Sequence, residues 1–159
     1  MRRVIFQDLR ASRRLPIAFQ KLRQARDAKQ RERKSAGQQR INEAIADGPG
    51  TNVLRNSLWS EIIGPDFIAK AFQYAHEADP DAILRYNDYG LENPAKRKKL
   101  ATLIKSLQDQ KVPVHAIGSQ AHLNVSMTFE TMDQALTEIA ALGLPIHITE
   151  LDVNSAASG

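Results

Sequence analysis

In the segment GLPIHITELDV, residues 143–153, a short apolar run leads directly into two carboxylates. Residues 145–150 have the length and composition of a buried strand, and Gly143 before them is suited to ending a helix. Glu150 and Asp152 stand where this strand ends. Because α/β folds place their chemistry at the carboxyl ends of parallel strands, the segment predicts a parallel sheet with a polar site at that edge.

Strands and helices alternate in the residues before this segment. The spacing of apolar residues predicts helices over 66–78 and 129–142, and a further helix that begins at Asn93-Pro94. Strands are predicted over 82–87 and 112–118. The strands recur at about thirty residues with a helix between them, a rhythm typical of right-handed βαβ units in a parallel sheet.

Polar side chains follow each predicted strand. A (β/α)8 barrel gathers such strand ends into one mouth, although an open doubly wound sheet has the same alternation of elements. The glycine spacing of a dinucleotide site, G-x-G-x-x-G, does not occur in the sequence. We therefore expect an α/β fold that forms part of a (β/α)8 TIM barrel, with about four parallel strands alternating with helices. The polar residues concerned are Asn87, Asp88 and Tyr89 after one strand, Gln120 and His122 after the next, and Glu150 and Asp152 after the last.

Composition excludes several classes of protein. Cysteine is absent from the 159 residues, which excludes disulfide bridges and thiolate metal sites. No apolar run reaches the ~18 residues that a membrane span needs, and the apolar stretch Val4-Ile5-Phe6 is too short for a signal peptide. We accordingly expect no membrane contact, no metal and no cofactor.

Basic residues are concentrated at the start of the chain. Residues 1–40 contain 13 Lys and Arg against 3 Asp and Glu, a net charge of +10, whereas residues 41–159 contain 9 against 15, a net charge of −6. Such a basic stretch either contacts nucleic acid by neutralising phosphates, or is a solvated helix or disordered arm without a binding role. No recognised fold for reading bases accompanies it, so nucleic acid is not the expected partner.

Two segments near residue 41 complete the pattern. INEAIADG, residues 41–48, contains an Asn-Glu pair followed by a small residue, and LRNSLW, residues 54–59, comes next. Six later segments are IIG (62–64), AF (71–72), AHEADP (75–80), YNDY (86–89), GSQAH (118–122) and TELD (149–152). In their order and spacing these segments closely resemble the xylanases of glycoside hydrolase family 10, over about residues 41–155.

The resemblance implies a retaining endo-1,4-β-xylanase, an enzyme that hydrolyses internal β-1,4-xylosidic bonds of xylan by double displacement. Such hydrolysis needs two carboxyls roughly 5.5 Å apart, one to attack carbon and one to protonate the leaving oxygen. By resemblance Glu150 would be the nucleophile and Glu43 the acid/base. His122, tied to Asp152, would keep Glu150 ionised and oriented.

The resemblance also implies the residues that bind substrate, which would be xylan or xylo-oligosaccharides. Asn42 would bind the 2-hydroxyl of the sugar being cleaved, and Gln120 would support Glu150. Asn87 and Tyr89 would line the leaving-group side of the cleft. The family further implies an extracellular or periplasmic location, although no signal peptide is visible in this chain.

The sequence departs from the family pattern at its start. Gly37-Gln38-Gln39-Arg40 stands where the family has a hydrophobic run, so only Ile41 remains of that strand, and the resemblance covers roughly barrel strands four to seven. We expect residues 1–40 to be a basic leader, helical or disordered, outside the family fold. Residues 41–159 would be a partial catalytic domain that self-associates through exposed barrel edges.

Three functions remain open on the sequence. The first is a xylanase that is weakened or inactive because it has only part of the barrel. The second is a non-catalytic remnant that binds xylan, with Trp59, Tyr86 and Tyr89 as candidate stacking groups. The third, which we expect least, is a nucleic-acid-associated protein that binds through residues 1–40.

Overall fold

The computed structural model of the protein describes residues 39–155. Within this range six strands and four helices follow one another along the chain. The strands are β1 (Gln39–Asn42), β2 (Leu84–Asp88), β3 (Ala116–Ser119), β4 (His122–Asn124), β5 (Ile146–Ile148) and β6 (Asp152–Asn154). The helices are α1 (Leu58–Ile63), α2 (Phe67–Ala78), α3 (Pro94–Asp109) and α4 (Phe129–Ala140). None of these four helices combines the length and the apolar character that a membrane span requires.

Four of the strands form one parallel sheet in the order β1-β2-β3-β5. Asn42 is paired with Asn87, and Asn87 with Gly118, so the carboxyl ends of these three strands lie level. The connections between successive strands of the sheet contain α1 and α2, then α3, then α4. This arrangement confirms the predicted α/β fold, in which four parallel strands alternate with helices.

A second, two-stranded parallel sheet pairs β4 with β6 and places His122 opposite Asp152. The chain leaves β3 through Ala121, whose φ angle of +55° lies in the left-handed region. Residues two apart share a face only along an extended strand, so the turn at Ala121 separates the directions of the Gln120 and His122 side chains. The sequence analysis predicted neither β4 nor β6, because three residues are too few to show a periodic pattern.

The hydrophobic core lies between the larger sheet and its helices. Leu84 and Ile117 from the sheet are fully buried, together with Phe72 from α2 and Ile104 from α3. Burying a side chain of this size stabilises the fold by about 1.5–3 kcal/mol. The core therefore holds the sheet against its helices, whereas the polar site residues lie at the carboxyl ends of the strands.

Side chains cap the helices that precede β3 and β5. Asn93 Oδ1 accepts the N–H of Ala95 at 2.8 Å, and Pro94 stands in the first turn, where its lack of an N–H costs no helical hydrogen bond. Thr128 Oγ1 accepts the N–H of Thr131 at 3.2 Å. The predicted starts of α3 at Asn93-Pro94 and of α4 at residue 129 are therefore confirmed.

The bounds of all four strands of the larger sheet differ from the predictions, and β1 and β3 differ for identifiable reasons. β1 pairs with β2 from Gln39 onward, although only Ile41 was expected to remain of this strand. Strand pairing uses backbone groups, so polar residues can form it without an apolar run. The strand predicted over 112–118 is confined to Ala116–Ser119, because Pro113 has no N–H to donate and Val112 N donates instead to Leu107 O at 2.9 Å.

Candidate active site

Glu43 follows β1 in a backbone conformation that is unusual for its residue type. Its φ angle is +56°, in the left-handed region that residues other than glycine rarely occupy. Its backbone N–H donates to the carbonyl of Asn87 at 2.8 Å. One carboxylate oxygen, Oε1, accepts hydrogen bonds from Asn42 Nδ2 and Gln120 Nε2, each at 2.8 Å. Two amide donors therefore hold this carboxylate at the mouth of the sheet.

Glu150 follows β5 and has contacts of a different kind. Its Oε1 accepts a hydrogen bond from Asn87 Nδ2 at 3.3 Å, and its Oε2 lies 3.7 Å from His122 Nε2. His122 Nδ1 in turn lies 3.0 Å from Asp152 Oδ2. An imidazole whose two nitrogens both face carboxylates donates to both when it carries its second proton. Asp152, His122 and Glu150 thus form a line of three groups in which the imidazole stands between the carboxylates.

Asn42 and Asn87 connect the two glutamates. Asn87 Nδ2 donates to Asn42 Oδ1 at 2.6 Å as well as to Glu150, while Asn42 donates to Glu43. Thr149 Oγ1 donates to Asn87 Oδ1 at 2.8 Å and so orients this carboxamide. The two carboxylates therefore share one hydrogen-bond network at the ends of β1, β2 and β5.

Gly118 on β3 makes room for this network. A Cβ atom at this position would overlap the carboxamide oxygen of Asn87 and would lie 3.0 Å from Arg85 Cδ. Atoms do not approach that closely without displacement, so any larger residue would push Asn87 away from Asn42 and Glu150. The glycine is required here by the close approach of its neighbours on β2.

A second polar cluster surrounds Tyr89. Its hydroxyl donates to Asp47 Oδ2 at 2.6 Å and accepts from Arg55 Nη2 at 3.2 Å, and Lys96 Nζ lies 3.4 Å from the centre of its ring. The hydrogen bond from Tyr89, followed by that from Lys96, lowers the pKa of Asp47. Tyr89 is thereby held beside the residues that follow Glu43 in the chain.

Most of the predicted site residues come together in the structure. Seven of them belong to the network around the two glutamates, and Tyr89 belongs to the neighbouring cluster. Gln120 was expected to support Glu150, but its carboxamide nitrogen donates to Glu43 and, at 3.3 Å, to Asn42. The turn at Ala121 explains this difference, because it separates Gln120 from His122 and sends the two side chains to different carboxylates. The seven are Asn42, Glu43, Asn87, Gln120, His122, Glu150 and Asp152.

Sequence analysis missed several residues that contact these groups. Asp47, Arg55 and Lys96 hold Tyr89, and Tyr86 bonds to the backbone after Glu43. One signal was available: Lys96-Arg97-Lys98-Lys99 lies in the first turns of α3, where the helix dipole disfavours cations. Basic residues at that position indicate specific acidic or carbonyl partners. Tyr86 had been considered as a stacking group, which is wrong because its side chain is fully buried.

The described residues offer no site for a metal ion. Within residues 39–155, no group of three or more His, Asp or Glu side chains is arranged to hold one.

Comparison with known proteins shows that the sequence of this chain matches a family. The sequence profile of "Glycosyl hydrolase family 10" matches residues 29–159. The endo-1,4-beta-xylanase of Geobacillus stearothermophilus is 52% identical over 115 residues, which are 72% of this chain and 34% of that protein. Endo-1,4-beta-xylanase B of Paenibacillus barcinonensis is 43% identical over 115 residues and is likewise covered over 34% of its length.

Solved structures agree with this assignment. A psychrophilic family 10 endo-beta-1,4-xylanase superposes with a TM-score of 0.80 at 39% identity, over 92% of this chain and 47% of its own. TsXylA, an intracellular xylanase from Thermoanaerobacterium saccharolyticum, gives a TM-score of 0.77 at 37% identity, over 88% of this chain and 45% of its own. The chain thus spans less than half the length of these relatives, and its fold is part of their TIM barrel.

The profile match begins at residue 29, inside the segment predicted as a basic leader. Residues 1–38 lie outside the described residues, so the domain boundary predicted at residue 41 stays a prediction. From the profile match and the similarity in sequence and structure, the chain belongs to glycosyl hydrolase family 10.

Proposed function

We propose that this chain carries the reacting carboxylates of a retaining endo-1,4-β-xylanase, with Glu150 as the nucleophile and Glu43 as the acid/base. One observation carries the proposal: the two carboxylates share a hydrogen-bond network through Asn42 and Asn87 at the ends of parallel strands. Retaining hydrolysis needs such a pair on either side of the scissile bond. The printed names of the most similar relatives, which are endo-1,4-beta-xylanases, support xylan as the substrate.

In the first step, a Glu150 oxygen forms a bond to the anomeric carbon as the bond from that carbon to the leaving oxygen breaks. Glu43 gives its proton to the leaving oxygen, so the departing sugar chain leaves as an alcohol. In the second step, Glu43 takes a proton from water while the water oxygen attacks the anomeric carbon and Glu150 departs as a carboxylate. Each carboxyl thereby returns to its starting state.

The contacts of each glutamate suit its proposed role. His122 and Asn87 face the two oxygens of Glu150 and so orient this group for attack on the anomeric carbon. Glu43 accepts two hydrogen bonds on Oε1 from the side chains of Asn42 and Gln120. This arrangement orients the carboxyl while Oε2 serves the proton transfer.

The substrate-binding roles follow from exposure and position. Asn42 is exposed, which supports its role as the residue that binds the 2-hydroxyl of the sugar being cleaved. Tyr89 is partly exposed and lies beside Asp47, which supports its proposed role on the leaving-group side of the cleft. Asn87 is fully buried, so we propose that it acts through Asn42 and Glu150 rather than by touching the sugar.

Weak activity and self-association are part of the proposal. β1 and β5 are the outer strands of the described sheet, and each directs one edge away from the other strands. Several large apolar side chains are also exposed, among them Phe129, Leu151 and Val153. These features support association of the chain through its barrel edges and low hydrolysis of xylan by the chain alone.

The test compares the full chain with a hybrid protein, in which residues 41–155 replace the matching segment of the Geobacillus stearothermophilus relative. We expect the hybrid to release reducing sugar from xylan and Glu150→Gln in the hybrid to abolish that release. A hybrid that melts cooperatively but releases no sugar would overturn the proposal. Size-exclusion chromatography of the full chain measures self-association separately.

A non-catalytic xylan-binding protein remains the second candidate, since Trp59 and Tyr89 are both partly exposed and so available to stack on sugars. Trp59 is the one tryptophan in the sequence, so its fluorescence reports binding directly. A fluorescence change on titration with xylo-oligosaccharides, without release of reducing sugar, would favour this candidate. Nucleic-acid binding through residues 1–40 and an extracellular or periplasmic location stay predictions.

A further inference from the structure

A buried polar cluster lies behind Glu43, and the proposed reaction does not use it. Its members are Tyr86 and Asp88 on β2 and Lys96 on α3, referred to below as the Tyr86–Asp88–Lys96 cluster. All three side chains are buried, and two of them are of charged types. Charged groups are seldom buried unless their contacts compensate for the loss of water.

Tyr86 holds the backbone immediately after Glu43. The N–H groups of Ala44 and Ile45 donate to the Tyr86 hydroxyl oxygen at 3.1 and 3.0 Å. The hydroxyl in turn donates to Asp88 Oδ2 at 2.6 Å. Burial, followed by the charge of Asp88, raises the pKa of Tyr86 well above its ordinary value, so the phenol keeps the proton that it donates. A phenol oxygen has one hydrogen and two lone pairs, so these three bonds use its whole capacity.

Asp88 and Lys96 hold Tyr86 in this position. Asp88 is fully buried, and its second oxygen, Oδ1, accepts the N–H of Tyr89 at 2.9 Å and lies 3.0 Å from Lys96 Nζ. Lys96 has a side chain that is 6% exposed, and it also contacts Asp47 Oδ1 at 2.9 Å. Removing the lysine would leave the Asp88 carboxylate buried without its cation, which is costly.

A second lysine holds the loop that follows Glu43, residues 44–48. Lys99, one turn further along α3, donates to the carbonyls of Ala46 and Gly48 at 3.0 and 2.9 Å. Together with the contact from Lys96 to Asp47, these bonds tie three consecutive residues of the loop to the helix. Lys96 and Lys99 lie near the N-terminus of α3, where the positive end of the helix dipole disfavours cations. Their contacts with the carboxylates and carbonyls offset this unfavourable interaction.

We propose that Tyr86, Asp88 and Lys96 are positioning residues for Glu43. They fix the two amides that follow it and so maintain its left-handed backbone, which places the carboxyl against Asn42 and Gln120. This inference rests on the acid/base role proposed for Glu43. It adds that the proton-transferring group is held from behind by a network that touches neither the substrate nor the Glu43 carboxylate.

The first test does not depend on activity. Hydrogen exchange is measured by NMR on the full chain and on the variants Tyr86→Phe and Lys96→Met. Lys105→Met, at an exposed position of the same helix, is the matched control. We expect the Ala44 and Ile45 amides to be protected in the unmodified chain and to exchange at least about tenfold faster in both variants. The amide of Ile117, which donates to Pro145 O within the sheet, serves as the reference for global opening and should change less.

Unprotected Ala44 and Ile45 amides in the unmodified chain would overturn the inference without any variant, so a variant that fails to fold does not leave it undecided. An equal acceleration at Ala44, Ile45 and Ile117 would also overturn it, because the cluster would then support the whole sheet rather than the residues after Glu43. Unchanged exchange in Tyr86→Phe would do the same.

The second test reads the proton transfer itself. In the hybrid protein, Tyr86→Phe should lower kcat/KM for xylan by about tenfold or more and leave kcat/KM for a dinitrophenyl xylobioside within about twofold. That leaving group needs no proton from Glu43. Equal losses on both substrates would overturn the positioning role. A hybrid that hydrolyses neither substrate counts against the proposed function, and the exchange measurement then decides the present inference alone.

Discussion

Gln120 Nε2 donates to Glu43 Oε1 at 2.8 Å, although Gln120 follows β3 and Glu43 follows β1, with β2 between them in the sheet. The side chain therefore crosses the end of a whole strand to reach its partner. Asn87 at the end of that strand lies in the same network, so the three strand ends are joined by side chains as well as by backbone.

The first prediction concerns this contact. Gln120→Leu in the hybrid protein should lower kcat for xylan by about tenfold to a hundredfold, because Glu43 loses one of the two donors on its Oε1. The control is Gln73→Leu, at an exposed helix position, which should leave kcat unchanged. Steady-state kinetics on xylan measure both. A Gln120→Leu protein with unchanged kcat would remove this contact from the catalytic geometry.

The second prediction separates the two glutamates. Glu150→Gln in the hybrid protein should abolish turnover on every substrate, by more than about a thousandfold, because no other group is placed to attack the anomeric carbon. Glu43→Ala should instead spare the glycosylation step of activated aryl glycosides, whose leaving groups need no proton. Added azide should restore the second step by replacing the water that Glu43 no longer activates. Equal losses for both variants, with no effect of azide, would contradict the acid/base role of Glu43.

The third prediction concerns the glycine beneath Asn87. Gly118→Ala should destabilise the full chain by about 1–3 kcal/mol, because the added methyl group overlaps the Asn87 carboxamide. Gly50→Ala is the matched control, since a Cβ there meets no atom within 4 Å. Urea denaturation gives both free energies of unfolding. If the two variants are equally stable, the Asn87 side chain can move to accept a methyl group at residue 118, and the predicted requirement for glycine is wrong.

The fourth prediction is a pH dependence. The Tyr89 hydrogen bond, followed by Lys96, lowers the pKa of Asp47 below its ordinary 3.8, so ionised Asp47 stabilises the fold above that pH. The stabilisation should disappear as the pH falls through the lowered pKa. The free energy of unfolding of Asp47→Asn should therefore lie below that of the unmodified chain near pH 6 and converge with it in acid. Asp47 is largely exposed, which keeps the difference below about 1 kcal/mol.

A companion variant tests the cause of this shift. Tyr89→Phe removes the largest of the contributions that lower the pKa of Asp47. The free energies of unfolding of Tyr89→Phe and of the double variant Tyr89→Phe/Asp47→Asn should therefore converge at a higher pH than those of the unmodified chain and Asp47→Asn. Urea denaturation between pH 2.5 and 6 measures the four proteins. Convergence at an unchanged pH would assign the shift to Lys96 instead.

Sequence periodicity was sufficient to predict the alternation of strands and helices, because apolar residues recur wherever an element is half buried. It failed at β1, whose pairing from Gln39 relies on backbone groups that carry no sequence signal. The motif residues of the site were predicted from resemblance and lie together. The contacts that Tyr86 and Lys96 make with this site were not predicted, because each residue contacts others about forty or fifty positions away in the sequence. Such residues come together only in the folded sheet.

The connection from β5 to β6 has a further consequence. Ile148 is the last residue of β5 in the larger sheet, and Asp152 is the first residue of β6 in the smaller one, so residues 149–151 form a three-residue bridge between the sheets. Hydrogen bonds hold both ends of this bridge: Thr149 N donates to Ser119 O at 2.9 Å, and Asp152 N donates to Ala121 O at 3.3 Å. Glu150 is the middle residue of a segment whose length is fixed at both ends. A single insertion or deletion in this bridge would shift the pairing register of β6 with β4 and separate His122 from Asp152. The exposed residues 49–52 bear no comparable restraint, so natural and engineered length changes should accumulate in that loop and avoid the bridge.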